Sequence, residues 1–228
     1  MDKRQFLKTS GSILTGSLLS RYLSAEQAAA PRTNWSGNFT FHTDHLYQPK
    51  TTEEVQHIVA TSPHLRALGK GHSFNSIADS TAAQISLKQL DQISLDPNAR
   101  TVTVGAGVSY GQLAPYIDSQ GFAVHNLASL PHVSVVGATA TATHGSGSHN
   151  GNLSTAVSAI EIVTADGKLR TLSRAKDGDQ FLGSVVHLGA LGIITRITLD
   201  VQPTFQVAQA VYENLSMSHL EKHLDEIF

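Results

Sequence analysis

Ten residues concentrate groups able to hold and attack a ligand: Arg66-Ala67-Leu68-Gly69-Lys70-Gly71-His72-Ser73-Phe74-Asn75. Two glycines bracket one lysine. Glycine lets the main chain approach a ligand closely. Successive N–H groups in such a turn make an anion-binding nest. The loop therefore suits a phosphate, with His72 and Ser73 beside the ligand. A plain glycine turn between strand and loop fits the same residues equally well. A second concentration starts at Ser134, which can cap a helix of small residues, Val135-Val136-Gly137-Ala138-Thr139-Ala140. Such a helix packs close to a sheet or ligand, and its N-terminus suits a diphosphate. Thr141-Ala142-Thr143-His144-Gly145-Ser146-Gly147-Ser148 follows as a glycine-rich loop, with a flexible linker as the plainer alternative. A third glycine turn, Gly189-Ala190-Leu191-Gly192, leads into Ile193 and Ile194.

Composition narrows the chemistry. The 228 residues are 40% hydrophobic and 15% charged, a globular composition large enough for one large domain or two small ones. The net charge is −2 and no basic stripe appears, which disfavours a nucleic-acid partner. Cysteine is absent, so disulfides and thiolate metal sites are excluded. The 12 histidines include no His-Glu-x-x-His spacing, which disfavours a metal. No Gly-x-Gly-x-x-Gly follows the first strand, against a nicotinamide Rossmann domain. No Gly-Lys-Ser/Thr occurs, against a P-loop. A cofactor gripped by several separate loops must be long, and FAD fits.

The elements that position these loops read as mixed α and β. Trp35 to Phe41 alternates loosely, as a strand. Thr51 and Glu54 form a capping box for a helix over 52–61, with Val55, Ile58 and Val59 at helical spacing and Pro63 beyond. Residues 65–68 read as a short buried strand, 84–87 and 101–104 as two more. Ser109 and Gln112 form a second capping box opening a helix through Ile117, with Pro115 inside it and Gly121 as its stop. Asp166-Gly167 between 157–164 and 168–172 signals a hairpin. Residues 180–186 read as a helix capped by Asp177 or Asp179. Residues 193–201 alternate as a strand ended by Pro203.

The first 30 residues read apart from the fold. Lys3-Arg4, Phe6-Leu7-Lys8, a mildly apolar run from Ile13 to Leu19, and Ala28-Ala29-Ala30 before Pro31 follow the order of an export signal. The Lys-Arg-x-Phe-Leu-Lys core resembles a twin-arginine signal with lysine for the first arginine, and implies an exported protein. An amphipathic N-terminal helix is the alternative. The apolar run is too short for a membrane span of about 20 residues.

Four ordered motifs carry a family resemblance: Arg-Ala-Leu-Gly-x-Gly-His-Ser-Phe-Asn at 66–75, Ala-Ser-Leu-Pro-His-x-Ser-Val-x-Gly at 128–137, Thr-His-Gly-Ser-Gly at 143–147 and Leu-Gly-Ala-Leu-Gly-Ile-Ile-Thr at 188–195. Across 34–203 the chain resembles the vanillyl-alcohol-oxidase flavoproteins, and among them the alditol (xylitol) oxidases and neighbouring sugar-lactone oxidases. The resemblance implies an α+β, PCMH-type FAD-binding domain over 31–203. Its two α/β subdomains would span about 31–122 and 123–203, with 204–228 starting a substrate domain that the chain does not finish. It implies that His72 bonds covalently to the flavin 8α-methyl carbon. Gly69, Lys70, Gly71 and Ser73 would cradle the diphosphate by backbone and hydroxyl contacts, and Arg66 would also contact the cofactor. Ser129 would lie near flavin N5 and touch the reacting hydroxyl. Ser134, Gly137, Thr141, Ala142, Thr143 and His144 would complete the cradle. Gly192 with Ile193 or Ile194 would line the adenine side. The implied reaction takes hydride from a polyol or sugar lactone, with molecular oxygen as acceptor and hydrogen peroxide as product. A flavin-binding module without turnover and a noncovalent flavin reductase on the same fold are the alternatives.

Overall fold

The computed structural model describes residues 31–211 and 213–227, so the export segment lies outside the described residues. Strand β1 (Leu46–Tyr47) and helix α1 (Thr52–Thr61) open the chain. The Thr51 hydroxyl accepts the Glu54 N–H at 3.2 Å, and the Glu54 carboxylate accepts the Lys50 N–H at 2.7 Å. The capping signature therefore forms, with its acidic arm reaching one residue further back than expected. Strands β2 (Leu65–Ala67) and β3 (Ala83–Ile85) complete a small parallel sheet ordered β1-β3-β2.

The larger sheet is antiparallel. It comprises β4 (Ile93–Asp96), β5 (Thr101–Gly105), β7 (Val157–Val163), β8 (Leu169–Ser173) and β9 (Ile193–Asp200), ordered β4-β5-β9-β7-β8. Between its two parts come α2 (Tyr110–Asp118), β6 (Phe122–Ala123) and α3 (Val135–Ala140). Helix α4 (Arg174–Val185) follows β8, and β10 (Gln202–Pro203) pairs with β6. Short helices α5 (Met217–Lys222) and α6 (Leu224–Ile227) bury none of their described residues.

Apolar alternation sets the core. Val102 and Val104 of β5, Ile160 of β7 and Ile197 and Leu199 of β9 pack with Leu113 and Ile117 of α2 and Phe181 of α4. Each such side chain contributes roughly 1.5–3 kcal/mol relative to exposure. A second cluster joins the two sheets, with Val55, Ile85, Leu87, Leu90, Val163 and Ile193.

Four expectations change. Trp35 to Phe41 is a tight turn closed by a Thr33–Thr40 bridge, not a strand. The Asn34 side chain holds it, accepting the Phe39 N–H at 3.1 Å and donating to Asn38 Oδ1 at 2.7 Å. Strand β2 is an edge, and Arg66 and Ala67 are exposed rather than buried. Helix α4 is two helical stretches meeting at a kink at Gly178 (φ 46°, ψ −123°): the helix expected from Gln180 follows the kink, and an unexpected turn from Arg174 precedes it. The N-cap of α4 is Ser173, so neither Asp177 nor Asp179 is the cap; the Asp177 carboxylate instead reaches back from the first turn and accepts the Ser173 N–H at 2.7 Å. The larger sheet also straddles the division expected near residue 122, because β5 pairs with β9.

Candidate functional site

A cavity of about 460 Å³ opens between the two sheets. One wall is the end of β2 and the loop beyond it, with Arg66, Gly69, Lys70, Gly71, His72 and Ser73. The facing wall is α3 and its ends, with Ser134, Gly137, Thr141 and Thr143. Gly192, Ile193 and Ile194 at the start of β9 close one side. Three segments far apart in sequence thus meet as expected. Ser129, Ala142 and His144 are not part of this lining. Ser129 and His144 lie on exposed loops, and Ala142 takes a left-handed φ of 53° just past α3.

Close approach explains the glycines. A Cβ at Gly69 would lie 3.0 Å from the Ser134 hydroxyl, and one at Gly137 only 2.6 Å from it. The first glycine loop and the small-residue helix are therefore pressed together through one hydroxyl. Gly71 has φ +75°, a conformation other residues adopt at a cost of order 1–2 kcal/mol.

Two hydrogen bonds from the 33–40 turn fix the backbone of this loop. Trp35 donates its N–H to the Gly71 carbonyl at 2.8 Å, and Asn34 Nδ2 donates to the Ser73 carbonyl at 3.0 Å. A trans peptide unit points its N–H opposite to its carbonyl. Both bonds therefore turn the N–H groups of the following residues away from the 33–40 turn. Among the described residues, no protein acceptor takes the N–H groups of Gly69, Lys70, Gly71, His72 or Ser73. Five consecutive backbone donors are thus left without a protein acceptor, which is what an anion nest requires. Helix α3 contributes less than its sequence suggests. Val108 takes the Val135 N–H at 2.9 Å and the Ser134 hydroxyl takes the Gly137 N–H at 3.3 Å.

His72 has two aromatic neighbours. Its ring stacks on Trp35 with centroids 4.6 Å apart, and lies 4.4 Å from the His132 ring. Burial, and secondly the nearby His132, push the imidazole below the ordinary histidine range. His72 Nε2 is buried and has no hydrogen-bond partner among the described residues. His187, which the sequence reading missed, lines the cavity too. Its Nδ1 accepts the Gly189 N–H at 3.1 Å, while its buried Nε2 is unpartnered. Burial lowers its pKa as well. Its position before the third glycine turn was the available signal; no spacing rule marks a lone histidine. Among the described residues no cluster of three or more metal-ligating side chains occurs.

Residues 43–173 match the family model described as FAD binding domain. The chain belongs to this FAD-binding family. It is 44% identical over 195 residues to an alditol oxidase of Streptomyces sp., covering 83% of this chain and 46% of the relative. It is 31% identical to the L-gulonolactone oxidase of Mus musculus, covering 83% of this chain and 46% of that one. It is 33% identical to a putative D-arabinono-1,4-lactone oxidase of Neurospora crassa, covering 81% and 34%. The chain thus spans about half or less of the length of these relatives. The α+β architecture is that of a PCMH-type FAD-binding domain. The residues present fit such a cofactor: the cavity wall carries backbone N–H groups without protein acceptors, glycines that leave room, and two histidines whose Nε2 atoms are unpartnered.

Proposed function

We propose that this chain is the flavin-binding part of an FAD-dependent oxidoreductase that oxidises a CH–OH group of a polyol or sugar lactone with oxygen as acceptor. The observation that carries the reading is the run of five backbone N–H groups from Gly69 to Ser73 without a protein acceptor in the cavity wall, with His72 among them. When bound, FAD supplies hydride acceptance from the alcohol carbon and returns the electrons to oxygen as hydrogen peroxide. The protein's residues bind, orient and shield. Gly69, Lys70, Gly71 and Ser73 hold the diphosphate, and Gly192, Ile193 and Ile194 line the adenine side. His72, kept unprotonated, is the covalent anchor to the 8α carbon. Ser129 serves the substrate side, holding the reacting hydroxyl. The identity of the relatives as alditol and lactone oxidases supports this substrate class. The first 30 residues serve as an export leader of twin-arginine type, which cell fractionation with and without Arg4→Lys tests.

Acid precipitation of the full-length protein tests the anchor. Yellow colour remains with the precipitate and is released from His72→Ala. Colour released from the unaltered protein would overturn the covalent bond. Peroxide release with xylitol, sorbitol or a gulonolactone tests the reaction. Loss of one hydrogen bond in Ser129→Ala lowers kcat/KM by about tenfold with flavin content unchanged. Absence of peroxide with every polyol and lactone, in protein loaded with FAD, would overturn the reaction assigned.

A further inference from the structure

We infer that the turn bearing Asn34 and Trp35 is a clamp that presents His72 for covalent attachment, with Trp35 as a positioning residue. This rests on the covalent reading above. Three contacts converge on one histidine. The Trp35 N–H holds the carbonyl on its N-terminal side, at Gly71. Asn34 Nδ2 holds the carbonyl of the next residue, Ser73. The Trp35 indole covers one face of the ring, at 4.6 Å and 30° between planes. His132 closes the cluster, 4.4 Å from His72 and 5.5 Å from Trp35. Asn34 is itself only 4% exposed, so the clamp is built into the fold. Trp35 stays 56% exposed with the stack in place, so its ring is not held there by core burial.

A free histidine side chain samples several χ1 and χ2 wells. Stacking between flat rings restricts that choice. The bond needs such restriction. One imidazole N–H and one C–H of the 8α methyl break, and a C–N bond forms. The two hydrogens and two electrons leave with oxygen as hydrogen peroxide. Misplacement of a reacting group by an ångström slows such a step by up to about 100-fold.

The test separates attachment from binding. Full-length protein is produced in flavin-depleted cells and mixed with FAD. Noncovalent affinity is read from flavin fluorescence, and covalent attachment from acid-stable absorbance over time. Trp35→Ala keeps its backbone N–H, so the brace on Gly71 survives. Attachment in Trp35→Ala slows about 10–100-fold while FAD affinity changes less than about threefold. Trp35→Phe restores most of the rate, because a flat ring returns. Equal attachment rates in Trp35→Ala and the unaltered protein would overturn the clamp and leave the covalent reading standing. So would an equal loss of affinity and attachment, which marks a merely structural residue. No acid-stable flavin in the unaltered protein would remove the covalent reading and the clamp with it.

Discussion

His72 is held neutral by burial and by His132, and this has a pH consequence that can be signed. Its folded pKa lies below the ordinary value of 6.5. Between those two values the unfolded chain binds more protons than the folded one. Stability therefore rises with pH across that window and is lost on acidification. His187 is shifted in the same direction by burial. Melting temperatures are expected to fall as pH drops from 7 to 5, and less steeply in His72→Ala. An equal slope in that variant would show that His72 does not titrate in this window. At this scale the sequence was informative wherever glycine spacing defined a loop, hence Gly69, Gly71, Gly137 and Gly192. It was silent on Trp35 and His187. Their roles come from contacts between residues far apart along the chain, or, for His187, from burial that no local pattern encodes.

Helix α3 offers a test at the scale of an element. It has only six residues, and its first turn depends on Ser134. Ser134→Ala is expected to cost about 1 kcal/mol through loss of the cap. Gly137→Ala would normally gain up to about 1 kcal/mol in helix propensity. Here its Cβ would lie 2.6 Å from the Ser134 hydroxyl, so it displaces the cap instead. Urea unfolding of the two single variants and the double variant reads the coupling. The double variant should be more stable than the sum of the singles implies, because removing the hydroxyl clears the space for the methyl. Strict additivity would mean that the crowding lies elsewhere. The elements α1, α3, β9 and the β7–β8 hairpin were legible because caps, turn residues and periodicity agree locally. The 33–40 turn was not. Its alternation imitates a strand, and the Asn34 side chain that bends it leaves no period in the sequence. Gly178 reads as a break and is one, so the helix after it was legible and the short turn from Arg174 before it was not.

At the scale of the whole molecule, burial ends abruptly after β10. The Thr204 N–H binds the Gly121 carbonyl at 2.9 Å and its hydroxyl binds Asp118. Beyond it, no described residue is buried. Limited proteolysis of this chain should cut within 205–216 first, because exposed backbone without tertiary contacts is the preferred target. The fragment ending near Thr204 should keep its melting temperature. A lower melting temperature for that fragment would show that the later residues brace the core. The sheet order was not legible, because β5 and β9 are paired across roughly half of the chain and no local signal records that. That order also fixes a schedule. The middle strand of the five, β9, is the last of them to be made. At synthesis rates of about 5–20 residues per second, the β4–β5 hairpin waits roughly 5–20 s for its neighbour. During that wait the β5 edge is bare, the kind of open strand edge that invites pairing with other chains until β9 covers it.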